Sequence, residues 1–322
     1  MRTPSSPPEP PPPPPQPRSP LPPPTPPPEP SPPPPPTDRP TADASPSPAP
    51  TSNSSPPTPP PGETPASPSS APPPPGVQID ANGTYVTTSS SGTFNLTGHY
   101  QCTPGQQVYI YASGGNPGIP AATNAAIGML AVLGACPSDG TFAGHLSSFI
   151  INEVTTVAAA YSLAGFMTDP THVSSGPSAN ARQGLANAFS TVTNLVDLTT
   201  GTALPGNEDG NGFSAQAKLN ALANLLAPCV NSSSLGFACQ TLFSNTRTSP
   251  TAPPPANTVA ALLAIAQHPV QNVIQLFGLT AAAPPYQPTL SSVPNDWTLA
   301  ITFFSDNMPG PYYPAFDSQG NL

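Results

Sequence analysis

Ile150-Ile151-Asn152-Glu153-Val154-Thr155-Thr156-Val157-Ala158-Ala159-Ala160-Tyr161-Ser162-Leu163-Ala164-Gly165-Phe166 is apolar on nearly every side. Ile150, Val154, Val157, Ala158 and Tyr161 recur at helical spacing. A helix without a polar face belongs at the centre of a fold. Neighbouring segments repeat the stripe. Upstream, Ile127, Leu130, Ala131 and Gly134 begin the helical pattern after Pro120. Downstream it returns at Leu185–Val196, Leu219–Leu226, Val259–Ala266 and Val270–Phe277. Ser178, Ser214 and Asn257 are suited to N-caps, and Gly278 to the residue after a helix end. The predicted fold is mainly α, a compact bundle of about six helices. A small antiparallel β unit precedes it, and a disordered Pro-rich segment precedes that.

The β unit is read from residues 77–113. Val77, Ile79, Tyr85, Phe94, Leu96, Tyr100, Val108 and Ile110 supply apolar beats, with turns at Asp80-Ala81-Asn82-Gly83 and Ser90-Ser91-Gly92. From Trp297 to Phe303 the period returns to two. Gly114-Gly115-Asn116-Pro117-Gly118 lacks the Lys-Ser/Thr ending of a phosphate loop and is read as a turn.

Of the chain's 58 prolines, 38 lie in residues 1–75. Proline fixes φ and has no N–H, so neither helix nor ladder forms there. The expected state is polyproline II at about 3.1 Å per residue, a stalk on the order of 200 Å long. Its many PxxP matches also fit SH3 or WW domains, as any proline run does.

Charged residues make up 7% of the chain, and six Lys and Arg face 15 Asp and Glu. Phosphate neutralisation needs clustered cations, so nucleic acid is excluded as a partner. No apolar run reaches the roughly 18 residues of a spanning helix. Met1-Arg2-Thr3-Pro4-Ser5 carries no apolar signal-peptide core. The folded part nevertheless reads as secreted or cell-envelope material, so the expectation is a native start upstream.

Cys102, Cys136, Cys229 and Cys239 allow three pairings. Their order favours Cys102–Cys136 and Cys229–Cys239, the first tying a β segment to the first helix. There is no CxxC and no His at ligand spacing, so no zinc site is expected. An even count and abundant Thr, Ser and Asn fit an oxidising compartment. The sequons at Asn82, Asn95 and Asn231 matter only in a eukaryotic source. Asn207-Glu208-Asp209-Gly210-Asn211-Gly212 lacks calcium-loop spacing and its distal Glu. No cofactor is implied.

Glu153 is the one carboxylate inside the central helix. A buried carboxylate must be paired, hydrogen-bonded or neutral. One role is structural, with Glu153 held by Arg182, the nearest cation, or by backbone N–H groups. The other is a general acid with a raised pKa, which would want a second carboxylate nearby. His99, His145, His172 and His268 are scattered beside turns, and neither HExxH nor GxSxG occurs.

Tyr109-Ile110-Tyr111-Ala112-Ser113-Gly114-Gly115-Asn116-Pro117-Gly118, Ile151-Asn152-Glu153-Val154-Thr155-Thr156-Val157-Ala158, Gln183-Gly184-Leu185-Ala186-Asn187-Ala188 and Pro294-Asn295-Asp296-Trp297-Thr298-Leu299-Ala300-Ile301 occur in order. Together they resemble the N-terminal module of large secreted or envelope proteins of environmental bacteria, where it precedes an NHL-repeat β-propeller. Pro314–Leu322 resembles the start of a first blade. The resemblance covers roughly residues 77–322 and supplies context rather than mechanism. Four regions are expected: a stalk over 1–76, a partial immunoglobulin-like or prealbumin-like β unit over 77–118, a helical domain over 119–288, and a β segment over 289–322 leading into a missing propeller. The function expected is a non-enzymatic module that presents the propeller to an unknown protein or cell-wall polymer. Two alternatives stand beside it: a hydrolase acting on a polymer with Glu153 as acid, and a hydroxyproline-rich wall glycoprotein.

Overall fold

The computed structural model describes residues 51–55, 77–80, 83–96, 100–118, 123–207, 210–233, 236–280 and 284–304. The rest of the Pro-rich stalk, His99, part of the 207–212 loop and the blade-like 314–322 segment lie outside the described residues.

The first five strands are β1 (Thr51–Ser55), β2 (Val77–Asp80), β3 (Gly83–Thr87), β4 (Gln107–Ser113) and β5 (Gly128–Ala135). They form one antiparallel sheet in the order β2-β3-β1-β4-β5. β1 comes from within the Pro-rich stretch and corrects the expectation that no ladder forms there. Thr-Ser-Asn-Ser-Ser is a five-residue run without proline, so every residue keeps an N–H for the ladders on either side.

β5 corrects the predicted fold class. Residues 127–134 read as the first helix, yet they pair along β4, with Ile110 opposite Ala131 and Tyr111 opposite Leu130. An apolar run of eight residues fits a buried strand and a buried helix equally well. Two things favour the strand here. Gly134 takes φ +90°, a left-handed value that an α-helix cannot contain. The aromatic and β-branched side chains of β4 offer a matching partner. Leu130, Ala131 and Val132 are then buried, as in a strand covered by other elements. Among the described residues the result is a mixed α/β fold of six helices and several small antiparallel sheets, not a mainly-α bundle. The expected boundary near residue 118 falls inside the β4–β5 hairpin.

After β5 come α1 (Glu153–Leu163), the strand pair β6 (Met167–Asp169) and β7 (His172–Val173), and α2 (Ala179–Thr191) with a 3-10 turn at Val192–Asn194. Next are β8 (Val196–Asp197) paired with β9 (Thr202–Ala203), then β10 (Gly212–Ser214), α3 (Gln216–Val230), α4 (Phe237–Asn245), α5 (Thr258–Gln267) and α6 (Val273–Phe277). β11 (Ile301–Phe303) pairs antiparallel with β10.

α1 is central, as its sequence requires. Nine of its eleven residues are buried, and it packs against β5, α2, α3 and α5. Its run of three alanines lets those neighbours approach closely. Each large side chain buried around it contributes about 1.5–3 kcal/mol. Ser178 and Asn257 cap α2 and α5 through their side-chain oxygens. Ser214 is not the cap of α3: Ala215 holds that position without a side-chain cap, and the Ser214 hydroxyl donates to the Leu204 carbonyl.

The disulfides are Cys102–Cys136 and Cys229–Cys239. The first joins the approach to β4 with the end of β5, so it closes a hairpin rather than binding strand to helix. The second links the last turn of α3 to α4. Trp297, fully buried, sits in the common core with its backbone N–H on the Pro269 carbonyl at 2.9 Å. The 297–300 segment therefore packs into this fold instead of running as a strand. Among the described residues no helix is long and apolar enough to cross a membrane.

Candidate functional site

The start of α1 is fixed from three directions. Asn152, extended at φ −147°, accepts the Thr155 N–H while Thr155 Oγ1 accepts the Asn152 N–H, each at 3.0 Å. The Asn152 amide also donates to the Gly201 carbonyl at 2.9 Å. Thr156 Oγ1 donates to the Asn152 carbonyl at 2.6 Å and accepts the Leu130 N–H of β5 at 3.0 Å.

This places Glu153 as the first residue of the helix, not midway along it. Its side chain is 1% exposed. The Tyr286 hydroxyl donates to Glu153 Oε2 at 2.5 Å. Burial pushes the Glu153 carboxyl above the usual carboxylate range; the Tyr286 hydroxyl and Glu153's own N–H pull the other way without cancelling it. Burial, followed by the adjacent carboxyl, raises the Tyr286 hydroxyl far above its ordinary value, so Tyr286 stays a donor.

α3 sets the position of Tyr286. Asn224 accepts the Tyr286 N–H and donates to the Tyr286 carbonyl, both at 2.9 Å. One turn earlier, Asn220 donates to the Pro288 carbonyl at 2.8 Å. Both asparagines are buried on an otherwise apolar helix face. Their amides satisfy backbone groups of a proline-rich segment that has no ladder of its own.

Arg182 does not serve as the partner of Glu153. It lies exposed near the start of α2, with its guanidinium on the Pro177 carbonyl at 2.8 Å. No motif or periodicity points directly to Tyr286. The available hint was a pair of asparagines, Asn220 and Asn224, four residues apart on an apolar stripe, and an aromatic set among prolines in Pro284-Pro285-Tyr286-Gln287-Pro288.

The other carboxylates with described partners lie elsewhere. Asp139 meets exposed His145 at 3.0 Å, and partly buried Asp169 at the end of β6 meets exposed His172 at the start of β7 at 2.7 Å. The His145 hydrogen bond holds Asp139 below the usual range. Partial burial pushes Asp169 up, but hydrogen bonds from His172 and Thr171 outweigh it and leave it lowered. Asp296 accepts from Lys218 at 3.4 Å and from the Thr298 N–H at 2.7 Å. His268 ends α5 and is exposed. Among the described residues no three His, Cys, Asp or Glu side chains gather as metal ligands.

Chemically, Glu153 and Tyr286 form a hydrogen-bonded pair in which the Tyr286 hydroxyl is the donor and the buried carboxyl the acceptor. A general acid must reach its substrate within hydrogen-bonding distance. Glu153 is instead buried, with Oε2 taken by Tyr286.

A second feature lies at the β10–β11 ribbon. Phe213 and Phe304 stack with centroids 4.8 Å apart and planes 25° from parallel, while remaining 62% and 44% exposed. No protein family, curated protein or solved structure gives a significant match to this chain.

Proposed function

We propose that the chain is a non-enzymatic module of an extracellular or cell-envelope protein, carried on its proline-rich stretch and presenting an interaction surface. The observation that carries this reading is the pair of disulfides, which take up all four cysteines. Such crosslinks persist in oxidising compartments. The exposed Phe213–Phe304 pair supports the presentation role, since stacked aromatics left in water favour a partner. An NHL-type propeller downstream belongs to the same reading, with a protein or wall polymer as partner. The test is fractionation of the source cells with thiols trapped by an alkylating agent. Envelope or culture-medium location with both crosslinks oxidised is expected, and a cytosolic protein with four free thiols would overturn the reading.

The competing reading is a polymer hydrolase using Glu153 as acid. Its support is the raised proton affinity of that buried carboxyl. Turnover of a wall polysaccharide that vanishes in Glu153→Gln while the fold persists would favour it.

A further inference from the structure

Residues 284–290 are tied down by side chains of two helices. Asn220 and Asn224 hold the Pro288 carbonyl, the Tyr286 carbonyl and the Tyr286 N–H from α3. Tyr286 alone among these ties reaches α1, through Glu153. Pro284, Pro285 and Pro288 have no N–H to add to the anchoring. We propose that residues 284–290 are a pH-sensitive strap, seated while the buried Glu153 carboxyl keeps its proton and loosened when that proton leaves for solvent.

The geometry supplies the reason. Glu153 sits under the strap with 1% of its surface exposed. Once charged, it gains most by admitting water, and the strap's Tyr286 hydroxyl is the side-chain group bonded to it. The charged groups nearby do not compensate. α3 carries Lys218, engaged with Asp296 and the Thr298 carbonyl. α2 carries Arg182, turned to the Pro177 carbonyl. β8 carries Asp197, bonded to Thr199. β5, β9 and α5 bring no charged side chain, and α1 itself adds only Tyr161. Tyr286 keeps its own proton throughout, because its hydroxyl is raised.

The sign is fixed by the direction of the Glu153 shift. Burial raises it, so the strap's seating is complete below the ordinary carboxylate range and is lost as pH rises through the folded-state value.

Hydrogen–deuterium exchange of the full chain, from about pH 4 to about pH 9 and corrected for intrinsic rates, tests this. The Tyr286 amide, bonded to Asn224, is the reporter. Its protection is expected to fall about tenfold or more across the range, while the β5 amides hold theirs. Glu153→Gln should keep protection flat. Tyr286→Phe removes a donor that lowers the carboxyl, so its loss of protection should be centred at higher pH. The proposal is overturned by pH-independent protection in the parent, by a parallel fall in Glu153→Gln, by an equal fall in β5, or by an unmoved centre in Tyr286→Phe.

Discussion

Asn224 on α3 grips both the N–H and the carbonyl of Tyr286, 62 residues further along the chain. One buried amide thus substitutes for two ladder bonds that the proline-flanked residue cannot find locally. Replacing it strands both backbone groups. Asn224→Ala should destabilise the fold by about 1–3 kcal/mol, measured as a midpoint shift in urea. A midpoint unchanged from the parent would mean that water takes over the amide's role.

Glu153→Gln keeps an acceptor for the Tyr286 hydroxyl and removes the titration. The parent's carboxyl has its folded-state pKa raised by burial, so it costs stability as pH climbs above the ordinary carboxylate range. The melting temperature of Glu153→Gln minus that of the parent should therefore grow with pH and then level off. A difference that shrinks with pH would show that the Tyr286 hydrogen bond outweighs burial.

The two crosslinks should be worth different amounts. The chain-entropy model gives about 3 kcal/mol for the 10-residue Cys229–Cys239 separation and about 4 kcal/mol for the 34-residue Cys102–Cys136 separation. Paired Cys→Ala variants in guanidinium chloride measure each. Peptide mapping without reductant should return these two links and no Cys102–Cys229 peptide.

The Phe213–Phe304 stack should matter little to folding. Most of Phe213 already faces water, so Phe213→Ser with Phe304→Ser should cost about 0.5–1.5 kcal/mol. The same double variant should lose retention on isolated envelope material. Retention equal to the parent's would remove the ribbon from the interaction surface.

Local patterns were legible where chemistry was local. The all-round apolarity of Val154–Ala160 identified a central helix, and proximity in sequence matched Cys229 to Cys239. Ser178 and Asn257 announced helix starts because a cap needs only the next turn. What failed depended on distant partners. Ile127, Leu130, Ala131 and Gly134 fit helical spacing by coincidence, and only pairing with β4 makes them a strand. Phe237–Asn245 forms a helix that the apolar spacing did not flag, since only Cys239 and Leu242 of it are buried. The Glu153–Tyr286 bond spans 133 residues, and no periodicity carries information over that distance.

Trp297 is the chain's single tryptophan, and none of its surface meets solvent. Its intrinsic fluorescence therefore comes from one defined place, the seat of the 297–300 segment against the Pro269 carbonyl. Emission at short wavelength marks the docked state, and a red shift marks its release. The protein thus carries its own optical reporter for detachment of the 297–300 segment, with no label required.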